Sequence, residues 1–160
     1  MELKEIAIEK PDDLNVIIGQ SHFVKSAEDI YEAVVNTVPQ AKFGIAFTEA
    51  SMERLIRVEG NDDRLKDIAA KNALNVGAGH TFYVFVENAY PINILRSIKD
   101  VPEVCTIFAA TANPISVIVA ENDRGRGILG VIDGHGPIGI ETEENRKKRR
   151  EFLRNIGYKF

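Results

Sequence analysis

Apolar and polar residues change their period along the chain, and each change marks an element. Leu3–Ile8 alternates loosely and predicts a first strand, closed by the turn Pro11-Asp12-Asp13. Asn15–Ile18 is a short apolar strand that runs directly into Gly19-Gln20-Ser21-His22. From Ser26 to Val38 the period becomes helical, with Ile30, Ala33, Val34, Thr37 and Val38 on one face. Ser26 and Asp29 form a capping-box pattern at its start, and Pro39 stops it. Lys42–Thr48 and Arg54–Glu59 read as a pair of strands around Glu49-Ala50-Ser51-Met52. A second helix follows, capped by Asn61 or Asp62, with Leu65, Ile68, Ala69, Asn72 and Ala73 inward and Gly77-Ala78-Gly79 at its end.

The second half holds most of the β signal. His80–Val86 is dense in β-formers and predicts a central strand. Pro91–Ile98 is a short helix with proline in its first turn. Val104–Ala120 is the longest uncharged run, broken by Asn113-Pro114 into segments 106–111 and 115–120, which read as a hairpin. Ile128–Ile132 is a third strand, after the ionic loop Asn122–Arg126. Glu143–Asn155 is a polar helix carrying Arg146–Arg150 and anchored by Phe152, Leu153 and Ile156. Strands interleaved with helices predict an α/β fold, a three-layer sandwich around a mixed β-sheet, formed as one domain over residues 1–160.

Composition narrows the function classes. A net charge of −4 gives no support for nucleic acid as a partner. Cys105 is the single cysteine, which excludes an intrachain disulfide and a cysteine zinc site. The charged N-terminus is not a secretory signal, and the uncharged run is shorter than the roughly 20 residues that span a membrane. A cytoplasmic protein without a membrane partner is expected.

Residues 125–130, Gly-Arg-Gly-Ile-Leu-Gly, match G-x-G-x-x-G. A dinucleotide loop requires a helix immediately afterwards, to aim its N-terminus at the pyrophosphate. Here an apolar strand follows, so the dinucleotide reading is rejected. No G-x-x-x-x-G-K-[ST] loop occurs, and the protein-kinase motifs H-R-D, D-F-G and V-A-I-K are missing. Glycines for a tight hairpin explain the cluster as well as a phosphate cradle does. Arg126, between two glycines, is favoured over Arg124 as a phosphate donor, against an ordinary solvated arginine.

Polar residues at strand ends supply the remaining chemistry. Asp133 ends an apolar strand, where a carboxylate serves as a general base or simply forms an Asp-Gly turn. Glu121 and Glu49 end two others and are candidates for Mg²⁺. Gln20, Ser21, His22 and Phe23 combine an amide, a hydroxyl, an imidazole and a ring ahead of a helix, with Lys25 near its N-terminus. His80 and Asn113 are further candidates for holding a nucleoside. Arg146–Arg150, surrounded by glutamates, reads as a solvated helix face.

With these segments in hand, the sequence resembles the adenosine-specific kinase family, a small group from archaea and bacteria. The likeness runs through GQSHFVKS (Gly19–Ser26), KFGIAFTEAS (Lys42–Ser51), RVEGND (Arg57–Asp62), AGHTF (Ala78–Phe82), PINIL (Pro91–Leu95), EVCTIFAATANP (Glu103–Pro114) and GRGILGVIDG (Gly125–Gly134). It covers nearly the whole chain. The resemblance implies binding of adenosine or AMP, phosphoryl transfer from ATP to adenosine with Mg²⁺, a three-layer α/β fold and a homo-oligomer, a trimer. It supplies no set of residue roles. From the residues themselves, Asp133 and His22 are the expected catalytic groups. Gln20, Ser21, Phe23, His80 and Asn113 are expected on the substrate, Lys25 and Arg126 on phosphate, and Glu49 and Glu121 on metal. A non-catalytic adenine-nucleotide sensor is the alternative, and a metal-dependent phosphohydrolase is a third reading.

Overall fold

The computed structural model describes all 160 residues. Its strands are β1 (Glu2–Ala7), β2 (Asn15–Ser21), β3 (Lys42–Thr48), β4 (Ile56–Gly60), β5 (Thr81–Glu87), β6 (Val104–Thr111), β7 (Ile115–Asn122) and β8 (Gly125–Asp133). Its helices are α1 (Ser26–Thr37), α2 (Asp63–Val76), α3 (Pro91–Lys99) and α4 (Glu143–Asn155). The strands form a five-stranded sheet in the order β4-β3-β5-β2-β6 and a three-stranded sheet in the order β1-β7-β8.

Period-two alternation on β5 explains the layers. Phe82, Val84 and Val86 face one side, where Ile17, Phe43, Ile45 and Phe47 meet α1 and α3 through Ile30, Val34, Ile94 and Ile98. Tyr83 and Phe85 face the other side, with Val16 and Ile18, against Leu65, Ala69, Ala73 and Val76 of α2 and Ile115, Val117 and Val119 of β7. The expected three-layer α/β sandwich is therefore present: one layer of helices, the large sheet, and a layer made of α2 with the small sheet. β5 occupies the middle of the large sheet, as its composition predicts.

Two strand pairings differ from expectation. Every pairing between strands is antiparallel, so neither sheet is mixed. The expected hairpin of 106–111 with 115–120 does not form. β6 pairs with β2, whereas β7 pairs with β1 and β8. Ala112-Asn113-Pro114 carries the chain from one sheet to the other, and Lys10 Nζ donates to the Ala112 carbonyl at 2.8 Å on that crossing. A short polar link between two apolar strands signals a turn, but it does not say which sheet receives the second strand.

Helix ends also diverge in one case. Asp62 caps α2 by accepting from the Leu65 N–H at 3.0 Å, as expected. Ser26 does not cap α1. The Ncap is Lys25, already in helical geometry, and the Ser26 hydroxyl is buried without a partner. Buried Asn72 on α2 exchanges two hydrogen bonds with Glu9, tying the segment after β1 to the helix. No residue of α4 is buried, and its expected anchors Phe152 and Ile156 are 59% and 47% exposed. Arg149 clamps Glu141 in the segment before it, and Thr142 with Asn145 forms its capping box. No helix is long and apolar enough to cross a membrane.

Candidate functional site

Backbone hydrogen bonds gather four strand ends at one edge of the large sheet. Ser21 N–H donates to the His80 carbonyl at 2.9 Å, and His80 N–H donates to the Thr48 carbonyl at 2.7 Å. His22 N–H donates to the Glu103 carbonyl at 3.1 Å. The ends of β2 and β3 and the starts of β5 and β6 thus meet, bringing Gln20, Ser21, His22, Phe23, Lys25, His80 and Glu49 into one region. A register shift between Ile18 and Gly19 helps aim the end of β2. Only glycine fits there, because a Cβ on Gly19 would lie 2.3 Å from Phe82 Cζ and 2.7 Å from the Thr106 carbonyl oxygen.

The side chains at this edge combine strain, rings and charge. His80 holds φ at +60°, an uncommon conformation for a residue with a side chain. Its ring lies 5.7 Å from that of Phe47. His22 is exposed and lies near-parallel to Phe23, centroids 6.3 Å apart, with Phe23 half exposed. Ser21 is buried, and its hydroxyl sits 3.5 Å from the Phe23 carbonyl. Lys25 pairs with Asp29 and, at 3.1 Å, with Glu103. These two carboxylates, Asp29 first, hold the Lys25 amine above its ordinary range. The Asp29 carboxyl is held low by its neighbours, Glu103 first and then Lys25. Glu103 is buried and keeps one oxygen, Oε2, without a partner. Sequence reasoning passed over Glu103 and gave Asp29 a capping role, because their encounter joins residues far apart in the chain.

Asp133 and Asn113 lie elsewhere. Asp133 Oδ1 accepts from the Thr111 hydroxyl at 2.7 Å and from Asn113 Nδ2 at 3.2 Å. Thr111 pairs with Val16, six positions along β2 from His22. At about 3.3 Å per residue, that separates Asp133 from His22 by roughly 20 Å. Arg126 lies at the opposite end of β8 from Asp133, where it is bridged to Ala78, two residues before His80. The expectation of Asp133 and His22 acting together, with Asn113 on the same nucleoside, is not met within one chain, whereas Arg126 lies on the side of the gathered strand ends. β-strands are straight, so residues at opposite ends of the same strands cannot converge.

Ion pairs occupy the remaining candidates. Arg126 Nε donates to Glu121 at 3.1 Å, and its Nη1 donates to the Asn75 and Val76 carbonyls at the end of α2. Arg126 therefore closes a helix C-terminus. Glu121 also pairs with Lys4 at 2.5 Å, which with Arg126 holds its carboxyl below the ordinary range. Glu49 accepts from Arg57 Nε at 2.7 Å and from the Leu55 N–H at 3.0 Å, and is held low in the same way. Both carboxylates face cations of the protein. No group of three or more histidine, cysteine, aspartate or glutamate side chains is placed to hold a metal, so these residues do not fit a dedicated Mg²⁺ centre.

Beside the gathered strand ends lies an open cleft of about 980 Å³. One wall is the loop from Glu49 to Ile56, and the other is the β7–β8 turn from Asn122 to Leu129. Thr48, Gly77 and Gly79 lie between them. The glycine-rich stretch from Gly125 to Gly130 lies within strand β8, so, as the sequence indicates, no helix opens after it.

Known proteins place the chain. The family described as adenosine specific kinase matches residues 6–159. The crystal structure of the PH1918 protein from Pyrococcus horikoshii OT3 is similar over 99% of this chain and 98% of that one, with 47% identity and a TM-score of 0.96. No curated protein matches. With all but its first five residues and its last one matched, the chain belongs to the adenosine specific kinase family.

Proposed function

We propose that the protein binds adenosine or AMP at the sheet edge where His22 and His80 meet, and that it transfers a phosphoryl group from ATP to adenosine. Family membership supports the reaction class. The carrying observation is the chain of backbone bonds Ser21–His80–Thr48, which brings together the strand ends that carry His22, stacked on the exposed ring of Phe23, and His80, beside Phe47. An aromatic face suits an adenine, and a histidine within reach of a ribose hydroxyl suits a general base. His22 takes the base role, since Asp133 belongs to the other end of the sheet. Gln20 and Ser21 serve the nucleoside, and Lys25, oriented by Asp29 and Glu103, contributes positive charge. Phosphoryl transfer relies on positioning and electrostatic stabilisation more than on covalent chemistry.

ATP and Mg²⁺ are the proposed co-substrates, with the ion carried on the phosphates. A homo-oligomer, with a trimer as the first candidate, is proposed on the exposed apolar residues of α4 and the segments flanking it, Ile138, Ile140, Phe152 and Phe160. The reaction is tested by incubating purified protein with ATP, Mg²⁺ and adenosine. AMP formation above background is expected. Tight AMP binding without any turnover would replace this reading with that of an adenine-nucleotide sensor.

A further inference from the structure

The cleft beside the strand ends has walls whose charges are mostly settled. Glu49 and Glu53 both line it, and Arg57 engages both, at 2.7 and 3.0 Å. Arg126 also lines it and is committed to Glu121 and the end of α2. Two arginines remain, Arg54 on one wall and Arg124 on the other, and neither guanidinium has a hydrogen-bond or ion-pair partner. Both sit on braced backbone. Arg54 has φ at +52° and its N–H bonds to the Ser51 carbonyl, while Asn122 Oδ1 accepts from the N–H groups of both Arg124 and Gly125.

Two further observations concern the cleft's floor and its glycine wall. Thr48 lines the cleft and is only 8% exposed, and its Oγ1 is buried without a partner. A buried hydroxyl left unpaired is destabilising, and a hydrogen bond from a ligand would satisfy it. Gly125 and Gly127 line the glycine wall. Neither has a positive φ, and a Cβ added to either meets nothing within 4 Å. Neither local packing nor backbone conformation accounts for glycine there. Side chains at these positions would project into space that a ligand could otherwise use.

We infer that this cleft seats the phosphate chain of a nucleoside polyphosphate, with Arg54 and Arg124 as the paired cationic donors and the Thr48 hydroxyl as a third. The inference rests on the proposed phosphotransferase reading for its place in the reaction. Thr48 gives the connection, because its carbonyl accepts from His80 N–H, so the two sites share a strand end. Guanidinium groups match phosphate oxygens in pairs, and a charged hydrogen bond contributes enough for about a tenfold change in affinity on its removal.

The test is calorimetry on the full chain with inorganic tripolyphosphate, ATP and adenosine as separate titrants. The wild-type protein should bind tripolyphosphate and ATP, and Arg54→Ala/Arg124→Ala should weaken both at least about tenfold while leaving adenosine unchanged. Gly127→Val is the second variant. Its Cβ meets no neighbour within 4 Å, and the position is exposed, so it should fold as wild type and lose tripolyphosphate binding. Failure of the wild type to bind tripolyphosphate, or undiminished binding in both variants, overturns the inference. If adenosine binds in that case, the nucleoside reading survives by itself. If tripolyphosphate binds and depends on the arginines while adenosine does not bind, the phosphate seat stands and the nucleoside reading fails.

Discussion

At the scale of single residues, the two expected catalytic groups separate. His22 lies at the gathered strand ends, and Asp133 is held by Thr111 and Asn113 at the far end of the same strands. In the adenosine phosphorylation assay, His22→Asn should lower turnover by about 100-fold or more, the usual contribution of a general base. Asp133→Asn should remain within a few-fold of wild type. Loss of activity in Asp133→Asn with His22→Asn unaffected would place the chemistry at the opposite edge. A second residue-scale expectation concerns Gly44 on β3. A Cβ there would lie 2.2 Å from the Leu65 carbonyl carbon and 2.3 Å from the Lys66 nitrogen, both backbone. Neither atom can swing aside as a side chain can. Gly44→Ala should destabilise the fold by about 2 kcal/mol or more, read as a lowered Tm. The candidate residues were legible as types, because imidazoles and carboxylates at strand ends are visible in any sequence. Their grouping was not legible, because it depends on which strand ends share an edge.

At the scale of elements, the ion pairs hold α2 and the small sheet together. Lys4 on β1, Glu121 on β7 and Arg126 on β8 form one network, and Arg126 also reaches the end of α2. The Glu121 carboxyl titrates below its ordinary value because the folded state supplies Lys4 and Arg126. Its stabilising contribution is therefore fully present above the ordinary glutamate value, about 4.3, and is lost as pH falls through the lower folded value. Glu121→Gln should lower thermal stability slightly at neutral pH and flatten its decline on acidification. Equal acid sensitivity in wild type and Glu121→Gln would remove this network from the account. Solvent screening keeps the effect small, since Glu121 and its partners are partly exposed.

At the scale of the whole molecule, α4 stands apart from the two cores. Its sequence promised an anchoring face, and that face exists, but nothing in the same chain buries it. Sedimentation should show a species larger than a monomer, and Phe152→Asp/Ile156→Asp should shift it toward the monomer. A monomeric wild-type protein would end the oligomer proposal. By itself the sequence determined the elements, since periods of 2 and 3.6, the Asp62 cap and the stops at Pro39 and Gly77 are local properties of the chain. It also determined the rejection of a dinucleotide loop, because the strand after Gly127 is written in its own residues. Only the tertiary structure decided that β6 and β7 part into different sheets, that Arg126 closes a helix while Arg54 and Arg124 stay free, and that Asp133 and His22 lie at opposite edges. Those outcomes follow from pairing between distant segments, where burial over the whole core selects the partner and no local pattern records it.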